Sequence, residues 1–252
     1  MNNPLARTRG VEHGHAPGFH LLVRFTAYSF LVQGVIFALI IVLLVSNLQF
    51  FQPHTSVDWP EFLTQLHAAP TQFLVIKALM LALRTLYGIS MVGVALVWWH
   101  RNRSAAALVI SFIVVSIPVI NTSQLMGMVL VPLAGDYTAA AALNETTTMI
   151  SIEVTARALY TNAEYLDAFV NVVPFVGLLA CLFWLSTRVA GLERIKWILP
   201  LLIILPFNKF LDLPPFAQLG ASLLNVVATG AYFFLMGWFL LRSQPQESVQ
   251  RH

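Results

Sequence analysis

Residues 73–99 read FLVIKALMLALRTLYGISMVGVALVWW, and this stretch decides the class of the protein. Crossing a hydrocarbon core of about 30 Å takes roughly 20 consecutive apolar residues, and this segment exceeds that length. Its charged residues are Lys77 and Arg84. An apolar run of this length predicts a transmembrane helix.

The composition of the whole chain agrees with a membrane protein. Of the 252 residues, 58% are hydrophobic and 10% are charged, whereas about 25% of the residues in a typical soluble domain are charged. So few charges cannot cover a water-exposed surface, which argues against a soluble enzyme, a disordered protein and a nucleic-acid-binding domain. We therefore expect membrane lipids as partners and no nucleic acid.

Five further apolar segments follow the same pattern, so the predicted fold class is all-α: a polytopic transmembrane helix bundle of six spans. The third span is expected to end at Pro132, and the fifth is short and contains Pro200 and Pro206. The bundle would occupy residues 24–242, between cytoplasmic polar tails at 1–23 and 243–252. The predicted spans are Phe25–Ser46, Phe73–Trp99, Ala105–Val131, Leu166–Thr187, Trp197–Leu211 and Ala217–Leu241.

Basic residues predict the orientation, because Lys and Arg concentrate in cytoplasmic loops. Ten of the fourteen fall on one side of the predicted spans, which places both termini in the cytoplasm and the protein in the inner (plasma) membrane. These ten are Arg7, Arg9, Arg24, Arg101, Arg103, Arg188, Arg194, Lys196, Arg242 and Arg251.

The two long outer loops are each expected to hold a short interfacial helix. In the first, Asp58 or Ser56 can cap a helix with Pro60 in its first turn. This helix would bury the face formed by Trp59, Phe62, Leu63 and Leu66. The second would lie within Thr148–Tyr160, where Ile152, Ala156, Leu159 and Tyr160 recur with helical spacing. Both helices are interpreted as packing caps over the outer mouth of the bundle, with a moving lid as the alternative.

Polar residues inside the spans give the candidate site, because such residues are costly in hydrocarbon and usually face the bundle interior. Arg84 lies near the middle of the second span with no acidic residue predicted at its own depth. Its predicted partners are Asn side chains, backbone carbonyls freed near Pro118 and Pro206, or a bound anion. Lys77 is expected nearer the outer surface, where it could meet Asp167 or Asp212. The candidate ligand-binding residues are Arg84, Lys77, Tyr87, Asn121, Asn171, Asn208, Lys209, Asp212 and Asn225.

These polar residues have two interpretations. They can form interhelical hydrogen bonds that lock the bundle, or they can line an outward-opening pocket for a small anionic or lipid-like ligand. Three functions follow: a ligand-binding transporter or sensor, a non-catalytic accessory subunit of a larger membrane complex, and a lipid-modifying membrane enzyme. For the accessory subunit the partner would be another membrane protein, and a homo-oligomer is also open.

The motifs of catalysis and cofactor binding are missing from the sequence. It contains no P-loop, no Gly-rich dinucleotide turn and no His-Glu-x-x-His pattern. Cys181 is the single cysteine, so an intrachain disulfide cannot form. We therefore predict no catalytic residues, no metal and no cofactor.

Three sequence features resemble a bacterial family of six-span integral membrane proteins of unknown function. One is an N-terminal span that follows a basic tail. Another is the outer stretch Asp58-Trp59-Pro60-Glu61-Phe62-Leu63, which leads through Ala69-Pro70-Thr71 into the second span. The third is the basic turn from Arg188 to Lys196 before the last two spans. Members of that family often carry charges in the third span, whereas Ser111–Leu130 has none here. The resemblance implies a fold and no particular activity.

Overall fold

The computed structural model of the chain describes residues 17–46, 57–100, 102–187 and 215–242. Within these residues the secondary structure is entirely helical. The six helices are α1 (Pro17–Ser46), α2 (Trp59–Ala68), α3 (Pro70–Val97), α4 (Arg103–Ala142), α5 (Thr146–Ser186) and α6 (Pro215–Arg242).

Three of these helices are long and apolar enough to cross a membrane: Gly18–Ser46 within α1, Pro70–Val97 and Arg103–Ala142. α6 contributes a shorter apolar stretch, Val227–Arg242. These helices indicate a helical, multi-pass membrane protein. The predicted fifth span, Trp197–Leu211, lies outside the described residues.

Two predicted helix boundaries are wrong. α4 does not end at Pro132 but continues to Ala142, with Pro118 and Pro132 inside it. α5 begins at Thr146, so the second outer helix is the first part of a continuous helix that also includes Leu166–Ser186. The physical reason is packing: α4 and α5 lie against each other along their lengths, and tertiary contacts can outweigh the roughly 3 kcal/mol that an interior proline costs a helix.

The first helix also starts earlier than the predicted span. α1 begins at Pro17 rather than at Phe25, with proline at the first helical position, where its missing N–H is not needed. Residues 17–23, predicted as part of a polar tail, therefore belong to the helix.

α4 and α5 form an antiparallel hairpin longer than a membrane is thick. With 40 and 41 residues, each helix extends about 60 Å, against a hydrocarbon core of about 30 Å. Asn144 makes the tight turn between them with a φ of 58°, a conformation that asparagine tolerates better than most residues. We call the end of the molecule at residues 143–145 the tip side and the end at the α3–α4 turn, residues 98–102, the base side.

Toward the base side, α1, α3, α4, α5 and α6 enclose a bundle core. Its largest fully buried members include Phe30, Met91, Leu179 and Tyr232. Phe30 and Tyr232 pack edge to face with ring centroids 6.0 Å apart. These contacts fix α6 against α1 and α3.

Toward the tip side, α2 closes a second core, the tip core, against the hairpin. The predicted α2 helix is confirmed: Asp58 caps it by accepting a hydrogen bond from the Glu61 N–H, and its predicted apolar face is buried. The rings of Trp59, Phe62 and Tyr160 pack edge to face, with centroids 5.6 to 6.1 Å apart. The tip core comprises Trp59, Phe62, Leu63, Leu66, Phe73, Leu130, Ala134, Tyr137 and Ala156.

α1 and α3 approach closely at Gly93. A Cβ added there would lie 2.9 Å from Cγ2 of Thr26 and still closer to its hydroxyl. Thr26 is 1% exposed, and its hydroxyl donates to the Leu22 carbonyl at 2.8 Å, so this side chain has little freedom to move away. At Gly230 the nearest atoms to an added Cβ are those of Phe37, at 3.9 Å.

We predict that Gly93→Ala lowers the free energy of unfolding by about 1–3 kcal/mol, the usual range for overpacking a core. Gly230→Ala is the matched control, because its methyl group fits at ordinary van der Waals distance and alanine favours a helix by about 1 kcal/mol over glycine. Unfolding of the two variants in detergent measures the difference. Equal stabilities would contradict the close approach of α1 and α3.

Candidate functional site

The polar residues of the candidate site lie between the two cores. On α3, Lys77 and Arg84 fall between Phe73 of the tip core and Met91 of the bundle core. On α5, Glu164 and Asp167 lie between Tyr160 and Leu178. These polar residues therefore lie between the tip core and the bundle core, in a region that belongs to neither.

An ion pair joins α3 to α5 at this level. The Arg84 guanidinium donates from Nη1 to Oδ1 of Asp167 at 2.5 Å, and the two side chains are 24% and 20% exposed. Arg84 lies thirteen residues before the end of α3 at Val97, which is about 20 Å from the base side. Because α3 and α5 each pack along α4, this pair connects two helices that flank a common neighbour.

The prediction that Arg84 has no acidic residue at its depth is therefore wrong. The predicted fourth span starts at Leu166, and this start would place the Asp167 carboxylate at the outer end of its helix. In the structure α5 starts twenty residues earlier, at Thr146, and Asp167 lies near its middle. Residues 146–173 contain neither glycine nor proline, and this absence of helix breakers is the signal that could have located the partner.

The contact with Asp167 occupies one of the hydrogen-bond donors of the Arg84 guanidinium. Arginine has five N–H donors, and within the described part of the chain Arg84 makes a single hydrogen bond, the one to Asp167. A quarter of its side chain is accessible. The remaining donors can therefore bind a further acceptor.

Lys77 lies two turns toward the tip side on the same stripe of α3. Its ammonium is 5.4 Å from the centre of the Phe73 ring, and Gly127 of α4 leaves it room, since a Cβ there would be 3.1 Å from Nζ. Glu164 and Asp167 attract this ammonium electrostatically, and Arg84 repels it. Gly127 and Glu164 were not recognised from the sequence, because neither is unusual without its neighbour.

Amide side chains of α4 also lie between the two cores, since Asn121 and Gln124 fall between Ile113 of the bundle core and Leu130 of the tip core. Asn121 donates from Nδ2 to the Thr85 hydroxyl at 3.3 Å. The side-chain oxygens of Asn121 and Gln124 are buried and accept no hydrogen bond from the described residues. The site therefore contains acceptors as well as the donors of Arg84.

A separate polar contact ties α1 to α3. The fully buried Gln33 donates from Nε2 to the Ser90 hydroxyl and to the Leu86 carbonyl. This group is a structural interhelical bond of the kind that membrane bundles use.

The other predicted site residues are placed as follows. The ring of Tyr87 packs edge to face on Phe233, with centroids 6.2 Å apart, and belongs to the edge of the bundle core. The structure places Arg84, Lys77 and Asn121 between the two cores, with Lys77 two turns nearer the tip side than Arg84, and does not describe the remaining side chains. Asn171 and Asn225 are described in their backbones only, and Asn208, Lys209 and Asp212 lie outside the described residues.

The described part of the chain contains no group of three or more His, Cys, Asp or Glu side chains that could hold a metal ion. Comparisons of the chain with protein-family models, with characterised proteins and with solved structures give no match. The family resemblance of the Asp58–Leu63 stretch thus stays a prediction, and function has to be argued from the geometry of the site.

We predict that Asp167→Asn lowers the free energy of unfolding by about 1–3 kcal/mol. Breaking a fully buried ion pair costs roughly 3–5 kcal/mol, and the partial exposure of both side chains reduces this. Replacing both partners, Arg84→Met with Asp167→Asn, should cost less than the sum of the single changes, because the second change no longer leaves an unpaired charge. Unfolding in detergent measures the free energy of unfolding of the two single variants and of the double variant.

Arg103→Met is the control for this cycle. Arg103 is exposed in the first turn of α4, so its loss should change stability little and should not couple to Asp167. Strict additivity of Arg84→Met and Asp167→Asn would contradict the pair.

Proposed function

We propose that this chain is a ligand-binding membrane protein, and that the Arg84–Asp167 level of α3, α4 and α5 binds the headgroup of a small anionic or lipid-like molecule. Binding would serve transport or sensing. A catalytic role has no support from the described side chains.

The observation that carries the proposal is the partial exposure of Arg84 in the middle of a membrane-length helix, where its one hydrogen bond to the described residues is the one to Asp167. Hydrocarbon offers no acceptor to the remaining guanidinium donors, and an unpaired polar group there is costly. Water or the polar part of a ligand would supply acceptors to these donors.

The direction in which the site opens follows from helix geometry. Side chains lean toward the N-terminus of their helix, and the N-termini of α3 and α5 lie on the tip side. Arg84 and Asp167 therefore lean away from the base side. With the tip side outside the cell, as the basic residues predict, the proposed binding site would face outward.

We predict that short-chain phospholipids stabilise the purified full-length protein in maltoside detergent. A ligand at a hundred times its Kd adds about 2.7 kcal/mol to the free energy of unfolding, which appears as a rise in Tm. Dihexanoyl phospholipids supply the phosphate, and added maltoside without phosphate is the blank. Arg84→Met should abolish most of the rise.

The matched control is Arg103→Met, which removes the same charge at an exposed position. This variant should keep the full rise in Tm. An equal rise in Arg84→Met and in the unaltered chain would overturn the proposed site.

The proposed orientation is tested by cysteine labelling in intact cells. Cys181 is buried and is first replaced by alanine; Glu145→Cys then marks the tip side and Ser104→Cys the base side, both at exposed positions. A membrane-impermeant maleimide should label Glu145→Cys in intact cells and Ser104→Cys after permeabilisation alone. The reverse pattern would overturn the orientation.

A further inference from the structure

Three exposed tryptophans lie at the base side of the bundle, each next to the end of a different helix. Trp99 is in the turn after α3, Trp184 lies two residues before the end of α5, and Trp238 lies four residues before the end of α6. Tryptophan is enriched where the hydrocarbon of a membrane meets the lipid headgroups. These side chains therefore indicate the level of the headgroups on the base side.

The last turn of α6 lies at the level of the α3–α4 turn. Trp98 in that turn packs against Phe239 of α6, with ring centroids 6.4 Å apart. Phe239 lies three residues before α6 ends at Arg242. Trp238 and Arg242 therefore lie on the base side together with Trp99.

Arg242 is stacked over the ring of Trp238. The carbon of its guanidinium lies 4.1 Å from the ring centre, a contact that arginine makes on aromatic faces. Side chains lean toward the N-terminus of their helix, which for α6 is the tip side, so the guanidinium lies back at the level of the indole. Stacking occupies a face of the guanidinium, whereas its N–H donors point outward in its plane.

An exposed apolar stripe leads from this pair toward the middle of the bundle. Val227, Phe234 and Trp238 recur with helical spacing on one face of α6 and are 68%, 47% and 54% exposed. From Val227 to Trp238 the helix rises about 16 Å, and one leaflet accounts for half of a hydrocarbon core of about 30 Å. The stripe is therefore as long as the acyl region of one leaflet, and it ends at a cation.

The charge of the base side favours an anionic partner. α1 begins on this side, because Thr26 near its start faces Gly93 near the end of α3. The chain segments next to the base ends of the helices contain ten basic and three acidic residues, an excess of seven positive charges that includes the residues outside the described part of the chain. These segments are residues 1–24, 98–103, 187–196 and 242–252.

We propose that Arg242, stacked over Trp238, binds the phosphate of an anionic phospholipid in the base-side leaflet, with an acyl chain along the stripe that begins at Val227. The stripe favours a lipid over a free phosphate ion, because a free ion has no apolar part to place there. The excess of positive charge favours an anionic headgroup over a zwitterionic one. Arg84 lies about 20 Å from the base side, so this site is separate from the one in the proposed function.

The test measures which lipid surrounds Trp238 in a bilayer. The full chain is reconstituted into two vesicle samples of equal parts phosphatidylglycerol and phosphatidylcholine, with dibrominated acyl chains on the first lipid in one sample and on the second lipid in the other. Bromine quenches the fluorescence of nearby indoles, and the emission of Trp238 is the difference between the unaltered chain and Trp238→Phe. Phosphatidylglycerol should associate at Trp238 at least about fivefold more strongly, the ratio that one arginine near an anionic surface gives with about 1 kcal/mol.

The deciding variant is Arg242→Gln, which should lower this preference about fivefold by the same reasoning. Arg242→Lys should lower it less, because lysine keeps the charge and loses the planar set of donors. Each variant is compared with its own double variant that also carries Trp238→Phe. Arg157→Gln is the matched control, since it removes the same charge at an exposed position in the tip half of α5 and should leave the preference unchanged.

The outcomes that contradict the proposal are distinct. Equal quenching of Trp238 by the two brominated lipids in the unaltered chain would overturn anionic selection. A preference that Arg242→Gln leaves unchanged, or that Arg157→Gln lowers as much, would overturn the assignment to Arg242. If Arg242→Gln does not fold, Arg242→Lys decides, since an unchanged preference in that variant would overturn the role of the stacked guanidinium.

Discussion

A charged guanidinium in the middle of a membrane-length helix needs a counter-charge, and the arrangement of α3, α4 and α5 follows from this need. Arg84 contacts Asp167 in the region between the two apolar cores. α5 begins twenty residues before Leu166, and α4 continues beyond Pro132 to pack against it. The ion pair therefore lies near the middle of α5 rather than at its end.

The hairpin also explains why the molecule has two cores. An α-helix of 40 residues is about twice as long as the hydrocarbon core is thick, so a large part of α4 and α5 needs a different apolar partner. α2 provides it, since its face of Trp59, Phe62, Leu63 and Leu66 covers the tip half of the hairpin. The polar residues then occupy the level between this covered half and the bundle.

Local patterns predicted the local elements well. The apolar face of α2 and its Asp58 cap follow from spacing within ten residues, and long apolar runs identify α1, α3 and much of α4. The hairpin could not be predicted in the same way, because hydropathy detects segments that face lipid, whereas residues 146–165 are amphipathic and face α2 and α4. The partner of Arg84 is 83 residues away along the chain. Its predicted depth depended on where the helix was taken to begin, so the error in that boundary prevented the pair from being predicted.

Finding Asp167 beside Arg84 changes the chemical meaning of the site. An arginine without an acidic partner would attract anions, and its ligand would be defined by charge alone. An arginine already paired with a carboxylate presents a dipole, whose field decays faster with distance than that of a single charge and depends on orientation. Both ends of this dipole are partly accessible, at 24% for Arg84 and 20% for Asp167. Lys77 on α3 and Glu164 on α5 lie nearer the tip side on the same two helices, and the Glu164 carboxylate attracts the Lys77 ammonium.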